Sequence, residues 1–408
     1  MKEKPGFWGG IVCGLLIALI ILVAVFFGGS VHNMLLGRGF TPAAAGGILT
    51  SSVKEKISLL NDYIDYYYLD YRDDDDSGET DEDRAEGMYR GLVESLNDKY
   101  SSYYTEKEYS RLSESTEGSF EGIGVTIVQN DEGYFEIAGF ASEDSSAKKA
   151  GVEVGDIFYK VEDEYVSGMD MSDLVDRVRG KKGTSVRIVM LRGENREEVE
   201  FTIDRQKVEA ITVSSNMIDN ETGYIAIGAF EGITVSQFEN ALTSLKKQGM
   251  KRLVLDLRGN GGGMVNAAVK VADDIIPTGV VTYTLDSRGN RKDYMAVTPE
   301  ELGMPLVILV DSASASASEL LTGAIKDYGK GTVVGTTTFG KGIVQNIYPL
   351  ADGSAVKLTN SRYYTPNGLN IQGTGIEPDV VIEFDGESYE KDGSDNQLDK
   401  AVEIVKNK

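Results

Sequence analysis

The residues best suited to chemistry in this chain form two motifs. SASASE occupies Ser314–Glu319, and FGKG surrounds Lys341, in a chain that contains one histidine. His32 follows an N-terminal apolar run and is far in sequence from both motifs. A Ser-His-Asp triad therefore lacks its base, and a serine nucleophile here would need another proton acceptor. A lysine held neutral is the usual substitute.

The first motif is predicted to lie where a strand ends at Val310 and a helix begins near Ser318. Free backbone amides and the positive end of the helix dipole gather at such a turn. The N–H of Ala317 could therefore stabilise an oxyanion formed when Ser316 attacks a carbonyl carbon. Serine is also a preferred helix N-cap, so any one of these serines alone could be only a cap.

A glycine run, DLRGNGGG at Asp256–Gly263, follows another predicted buried strand and precedes a helix. Open α/β sheets place their sites at this carboxyl edge of the strands. The run lacks the GxxxxGK[ST] pattern and the GxGxxG order, which argues against a phosphate-binding loop. The N–H of Gly262 is a candidate for a second oxyanion donor, and a tight turn without chemical function is the alternative.

Lys341 is flanked by Gly340 and Gly342 and lies among apolar residues. Burial disfavours a charged amine, so such a setting favours the neutral lysine that can accept a proton. Gln345 is predicted to share a face with Lys341, where its amide could orient the amine without adding a charge. The alternative is a surface lysine between two strands.

The elements that position these motifs are predicted from hydrophobic periodicity. Apolar strands at 224–227, 253–257, 306–310 and 333–334 alternate with helices, which indicates a largely parallel sheet covered by helices. Residues 118–207 have the alternation and turns of a β-rich unit. The chain is thus α/β and multidomain. The predicted segments are a cytoplasmic tip and anchor (1–30), a linker (31–50), a helical region (51–117), the β-rich unit (118–207), the α/β core (208–385) and a helical tail (386–408).

The N-terminal apolar run, Ile11–Phe27, is long enough for a spanning helix. Lys2 and Lys4 precede it and only Arg38 follows closely, so the positive-inside rule places the rest of the chain outside the cytoplasm. We therefore expect a single-pass anchor in the cell membrane with an extracytoplasmic catalytic region. The alternative is a cleaved signal peptide with a small-residue site at Ala43–Ala45.

Composition excludes several classes of protein. The net charge of −24 argues against a nucleic-acid partner. The one cysteine, Cys13, rules out an intramolecular disulfide and a cysteine metal cluster.

The acidic run Asp73–Asp83 resembles the start of an EF-hand loop, but Arg84 stands where the bidentate glutamate should be. We expect a solvated loop there, and no metal or cofactor anywhere in the chain.

Three motifs in this order, DLRGNGGG, SASASE and TFGKGIVQ, resemble those of the carboxy-terminal processing peptidases. These are tail-specific Ser-Lys proteases of peptidase family S41 with a PDZ domain and a crotonase-like α/β core. The resemblance covers Ser51–Lys408. It implies the following roles: Ser316 as nucleophile, Lys341 as general base, Gln345 as its assistant, and the amides of Gly262 and Ala317 as oxyanion donors.

The resemblance also identifies 118–207 as a PDZ domain. Such domains add a peptide as an extra strand and bind its terminal carboxylate on backbone N–H groups. The carboxylate-binding loop would be Gly122-Ile123-Gly124-Val125. Arg179 could communicate peptide binding to the core, and an exposed basic turn is the alternative.

The expected function is a membrane-anchored, extracytoplasmic serine endopeptidase whose partners are proteins with accessible C-termini. Two other functions stay open: a non-catalytic PDZ adaptor at the membrane, and an acyl-thioester enzyme with a related core. The helical segment from Ser51 to Tyr109 could support a homodimer or pack within the chain.

Overall fold

A computed structural model describes residues 48–68, 81–130, 132–299 and 301–408. These residues form two compact units. One contains the described residues up to Glu106 together with Ile347–Leu358, and the other contains Lys107–Asn346 and Thr359–Lys408. The predicted anchor and most of the acidic run lie outside the described residues. Within the described part of the chain, every helix is too short or too polar to span a membrane.

The first unit is mainly helical, as the periodicity of 51–117 predicts. It contains α1 (Ser51–Tyr67), α2 (Asp81–Glu94) and β1 (Ser102–Tyr104), and β1 pairs antiparallel with Ala355–Lys357. Tyr103 is buried and its ring contacts that of Tyr89, with 5.7 Å between centroids. α1 contains no buried residue, and its apolar side chains Leu60 and Ile64 are exposed.

The second unit begins with α3 (Glu106–Glu117) and continues into the β-rich part. A six-stranded sheet and a two-stranded ribbon make up this part, and its core is built from alternate strand residues and one helix face. The elements are β2 (Ser119–Gly122), β3 (Val125–Gln129), β4 (Phe135–Phe140), α4 (Ser146–Lys149), β5 (Ile157–Val161), β6 (Glu164–Tyr165), α5 (Met171–Val178), β7 (Ser185–Arg192), β8 (Glu197–Asp204) and β9 (Gln206–Glu209).

The strands and helices predicted between residues 224 and 334 are present, with ends that differ by a few residues. Among the described residues, six further strands and a second terminal helix accompany them. The elements are β10 (Val213–Met217), β11 (Thr222–Ile227), α6 (Thr234–Lys247), β12 (Arg252–Asp256), α7 (Val265–Asp273), β13 (Gly279–Asp286), β14 (Arg291–Ala296), β15 (Leu306–Val310), α8 (Ala317–Asp327), β16 (Thr332–Gly335), β17 (Ile343–Pro349), β18 (Ala355–Tyr364), β19 (Val380–Val381), α9 (Gly386–Asp392) and α10 (Asn396–Lys406).

The central sheet has the strand order β10-β11-β12-β15-β16-β19. Only the β10–β11 pair is antiparallel, which confirms the predicted, largely parallel sheet. Leu253 and Leu255 of β12 pack into the core formed with α6, α7 and α8, while Val254 faces α10. Because helices cover both faces, these strands are apolar throughout.

The terminal helix α10 is attached to the sheet by a partly buried ionic network. Arg258 follows β12 and donates to Asp256 and to both carboxylate oxygens of Asp395, at 3.0 and 2.7 Å. Burial alone would raise the pKa of Asp395, but Arg258 and the N–H of Leu398 hold it below its ordinary value. Asp395 is therefore both the N-cap of α10 and an ion-pair partner.

We expect Asp395→Ala to lower the free energy of unfolding by about 2–4 kcal/mol, since a helix cap and charge-assisted hydrogen bonds are lost together. Asp385→Ala is the matched control, because Asp385 caps the N-terminus of α9 and losing a cap alone costs about 1 kcal/mol. Urea unfolding of both variants measures the difference. Equal losses would contradict a structural role for the Arg258 network.

Candidate active site

Three turns meet at the carboxyl edge of the central sheet. They follow β12, β15 and β16, which are adjacent and parallel. The predicted motifs occupy these turns in the order glycine run, serine motif and lysine motif. The parallel sheet therefore brings together three segments that lie far apart in the sequence, at the edge where open α/β sheets place their sites.

Ser316 lies at the start of α8 in an unusual backbone conformation. Its φ of 55° and ψ of −113° are costly for a residue with a side chain, by about 1–3 kcal/mol. The residue is partly exposed, while Ala317 is buried as the first residue of the helix. The N–H of Ala317 has no intrahelical acceptor because of this position. The turn thus presents a serine hydroxyl beside a helix N-terminus, as predicted.

The neighbouring serines of the motif have structural contacts. Ser314 Oγ donates to Leu257 O at 2.7 Å, and Ser318 Oγ donates to Asn260 O at 2.9 Å. Both bonds fasten the serine turn to the segment that carries the glycine run. Of the three serines in the motif, Ser316 is partly exposed. The other two are buried, and their hydroxyls bond the turn to the glycine run.

The glycine run lies directly against Ser316. A Cβ added to Gly262 would come within 2.8 Å of Ser316 Cβ and 2.9 Å of Ala317 N. Its φ of 103° also favours glycine. The N–H of Gly262 donates to Oδ1 of the buried Asn260 at 2.8 Å. The N–H of Gly262, the predicted oxyanion donor, is thus beside Ser316, with its hydrogen directed to a side chain of the same loop.

Phe230 holds the other side of the glycine run. Its N–H donates to Gly262 O at 2.9 Å, and its carbonyl accepts from Met264 N at 2.6 Å. A Cβ on Gly263 would lie 2.1 Å from Phe230 O, so this close approach requires glycine. Phe230 is fully buried, and its main chain fixes the run in place.

Glu319 joins Ser316 to the segment that carries Lys341. The carboxylate is fully buried, and its Oε2 accepts the N–H of Ser316 at 2.8 Å and that of Lys341 at 2.9 Å. Oε1 accepts from Thr338 Oγ1 at 2.6 Å and from Gly340 N at 2.7 Å. One side chain therefore brings the main chains of Ser316 and Lys341 together. Glu319 is a functional residue that was not predicted, although an S-x-x-E spacing at a helix start is the signature of such a contact.

The remaining predicted residues of the lysine segment are also placed. Lys341 is partly buried and precedes β17, and Gln345 lies within that strand. The amide of Gln345 donates to Thr359 Oγ1 on β18 at 3.1 Å. The structure thus gives Gln345 a defined orientation, and its assisting role stays a prediction.

The predicted carboxylate-binding loop lines a groove between β3 and α5. The cavity has a volume of about 200 Å³ and is mainly apolar in its lining. β3 is an edge strand of its sheet, so its outer side can pair with an added strand. The lining residues are Phe120, Gly122, Ile123, Gly124, Val125, Ile127, Met171, Val175, Val178 and Arg179.

Arg179 lies at one end of this groove. Its guanidinium stacks over the ring of Phe120, 4.5 Å from the centroid, and pairs with Glu114 of α3 at 3.2 Å. The residue is therefore fixed between the β-rich part and the preceding helix. Its predicted role in communicating peptide binding stays a prediction.

Models of two protein families match the chain. The model of peptidase family S41 matches residues 221–382, which contain the three turns, and a PDZ-domain model matches residues 141–192. The PDZ match confirms the prediction that the β-rich part contains a PDZ domain.

Several curated proteins are similar over most of the chain. The probable CtpA-like serine protease of Staphylococcus haemolyticus is 35% identical over 358 residues, covering 86% of this chain and 70% of that protein. The carboxy-terminal processing protease CtpB of Bacillus subtilis is 35% identical over 301 residues, covering 73% of this chain and 62% of CtpB. A probable CtpA-like serine protease of Staphylococcus epidermidis is 35% identical, and the chain spans 65% of its length.

Among solved structures, the photosystem II D1 C-terminal processing protease is 31% identical to this chain. The match covers 80% of this chain and 86% of that one, with a TM-score of 0.47.

Proposed function

The chain belongs to peptidase family S41, and we propose that it is a serine endopeptidase that recognises and cleaves proteins near their C-termini. One observation carries this proposal: a single buried oxygen, Oε2 of Glu319, accepts the N–H groups of both Ser316 and Lys341. The main chains of a serine and a lysine are thus bonded to the same oxygen, beside a glycine run and a helix N-terminus. Acyl transfer without histidine requires these parts: a nucleophile, a base, and N–H groups that stabilise the oxyanion.

In the proposed reaction, Ser316 Oγ attacks the carbonyl carbon of a peptide bond while neutral Lys341 takes the hydroxyl proton. Gln345 orients the lysine amine. Collapse of the tetrahedral intermediate breaks the C–N bond, and the lysine returns the proton to the leaving amine nitrogen. Water, deprotonated by the same lysine, then hydrolyses the acyl ester and restores Ser316.

The oxyanion would be held by the amides of Ala317 and Gly262. The Ala317 N–H is available as the first amide of α8. The Gly262 N–H already donates to Asn260 Oδ1, so the oxyanion must displace that oxygen or share the Gly262 hydrogen with it. This competition predicts that the second donor is engaged only when a substrate forms the tetrahedral intermediate.

Substrate capture would use the PDZ groove. A C-terminal tail would pair with the free edge of β3 and place its carboxylate on the N–H groups of Gly122–Val125. The apolar lining of the cavity favours an apolar terminal side chain. In this proposal Arg179, fixed between Phe120 and Glu114, responds to the bound tail.

The same proposal includes location and assembly. The apolar run Ile11–Phe27, preceded by Lys2 and Lys4, supports a single membrane anchor with the catalytic region outside the cytoplasm. The exposed apolar side chains of α1, Leu60 and Ile64 among them, would carry a homodimer contact. The partners are then the membrane, protein substrates and a second copy of the chain.

Tail recognition can be tested with one peptide in two forms. We expect a peptide with a free, apolar C-terminus to be cleaved with a KM at least about 10-fold lower than its C-terminally amidated form, because amidation removes the captured charge. Val175→Asp, in the groove wall, should raise the KM of the free-acid peptide similarly. The kcat should change little in both cases.

The control for Val175→Asp is Val154→Asp, since Val154 is exposed on the same β-rich part and is absent from the groove lining. It should leave KM unchanged. Equal KM values for the free-acid and amidated peptides would contradict tail recognition, although peptidase activity itself would stand.

A further inference from the structure

The lysine segment, Gly340–Gly342, has no regular secondary structure, yet its three N–H groups all donate to side chains. Gly340 N donates to Glu319 Oε1 at 2.7 Å, and Lys341 N donates to Glu319 Oε2 at 2.9 Å. Gly342 N donates to Oε1 of Gln372 at 2.8 Å. Side chains from α8 and from the segment after β18 thus replace the regular hydrogen bonds that this loop lacks.

The carbonyl groups of the same three residues are also occupied. Gly340 O accepts from Gly373 N at 2.8 Å, and Gly342 O accepts from Tyr363 N at 3.1 Å. Between them, Lys341 O accepts the phenolic hydrogen of Tyr363. Tyr363 therefore holds two consecutive carbonyls of the lysine segment, one with its main chain and one with its side chain.

The surroundings of Tyr363 keep its hydroxyl protonated, so that it can donate a hydrogen bond. The side chain is 2% exposed and packs with Leu320, Ile371 and Ile376. Burial, and then the nearby Glu319 carboxylate, raise its pKa well above the ordinary value, so the proton stays on the oxygen. Ser316 O lies 3.2 Å from the same hydroxyl. That carbonyl already accepts from Glu319 N and Leu320 N, so the single phenolic proton is directed mainly to Lys341 O.

We propose that Tyr363 and Gln372 are positioning residues for Lys341. This proposal rests on the function proposed above. Neither residue acts on substrate; each fixes the main chain from which the lysine side chain extends. A lysine amine sits at the end of a flexible four-carbon stem, so its place relative to Ser316 Oγ is defined only if its main chain is fixed. A displacement of about 1 Å at a reacting group can cost about 10²-fold in rate.

Two variants separate positioning from simple packing. Tyr363→Phe keeps the buried ring and removes only the hydroxyl. Gln372→Ala removes an exposed side chain whose contact is with the lysine segment, so it should alter the free energy of unfolding very little. The rate of Ser316 phosphonylation by a fluorophosphonate measures the result. This step forms the Oγ–P bond, expels fluoride and transfers the hydroxyl proton to Lys341.

We expect Tyr363→Phe to slow phosphonylation about 10- to 100-fold and Gln372→Ala about 3- to 10-fold. For a tailed peptide, kcat should fall by similar factors while KM is unchanged. Tyr328→Phe is the matched control: its hydroxyl donates to a main-chain carbonyl, Val280 O, at 3.2 Å, away from the lysine segment. It should react at the wild-type rate, although thermal unfolding should show a comparable loss of stability.

Wild-type phosphonylation rates in both Tyr363→Phe and Gln372→Ala would overturn the proposal, and so would an equal loss in Tyr328→Phe. If Tyr363→Phe fails to fold, Gln372→Ala decides alone. The probe reports on Ser316 whether or not a peptide is cleaved. A reactive wild-type protein without peptidase activity would therefore reject the proposed function and leave this test intact, whereas an unreactive wild type would reject both.

Discussion

Ser316→Ala and Lys341→Ala should each abolish cleavage of a tailed peptide, with a loss in kcat of at least about 10⁴-fold. The first change removes the nucleophile, and the second removes the only base that the proposed reaction uses. Because the two residues act as a unit, the double variant should be no worse than either single variant. Initial rates over a range of peptide concentrations measure the loss.

Both variants should remain folded. The contacts that Ser316 makes with Glu319 and Leu320 are through main-chain atoms, which alanine retains. The main chain of Lys341 likewise keeps its bond to Glu319. Unfolding temperature and binding of the tailed peptide should therefore match those of the wild type. Ser312→Ala, an exposed serine in the same turn, should keep full activity.

The outcomes separate the competing functions. Persistent cleavage by either Ser316→Ala or Lys341→Ala would reject the assigned role. A wild-type protein that binds the tailed peptide but neither cleaves it nor reacts with a fluorophosphonate would be a PDZ adaptor. Reactivity of Ser316 that disappears in Lys341→Ala would support the serine-lysine mechanism directly.

The carboxyl edge of the sheet could be predicted because its strands are buried on both faces. Continuous apolar runs such as Leu306–Val310 indicate parallel strands under helices, and the motifs follow the ends of those runs. The hairpin strands were not predicted, because they are not buried on both faces. β18 is mostly half-buried and reads AVKLTNSRYY, so it lacks both a continuous apolar run and a clean alternation.

The contacts that complete the site are long-range, and a single sequence contains little information about them. The glycines on both sides of Lys341 indicated a functional lysine. Glycine is required at both positions because the turn at 371–375 packs directly against them. A Cβ on Gly342 would lie 2.6 Å from Gln372 N, and one on Gly340 would lie 2.9 Å from Gly375 N. Nothing in the FGKG motif itself predicts which segment approaches so closely.

Replacement of Glu319 should have the second large effect, because it affects folding and activity together. Glu319→Ala removes a fully buried acceptor from four donors: Ser316 N, Thr338 Oγ1, Gly340 N and Lys341 N. We expect the free energy of unfolding to fall by about 3–5 kcal/mol, because several charge-assisted hydrogen bonds are lost at once. Activity should fall at least about 10²-fold, since Ser316 and Lys341 lose their common hydrogen-bond acceptor.

Glu319→Gln is the sharper variant, because it keeps the volume of the side chain. One carboxylate oxygen becomes an NH₂ group, which donates and therefore faces two donors that need an acceptor. Whichever oxygen is replaced, at least one bond to the lysine segment is lost. Activity should therefore fall even at temperatures where the variant is fully folded.

Asp273→Asn is the matched control for this experiment. Asp273 is buried and accepts from Thr298 N at 2.8 Å and Thr298 Oγ1 at 2.9 Å, outside the three turns of the site. It should lose stability as Glu319→Gln does and keep its peptidase activity below the unfolding transition. Equal activity in the two variants would mean that Glu319 only stabilises the fold. A selective loss in Glu319→Gln would mean that one carboxylate sets the geometry of both reacting residues.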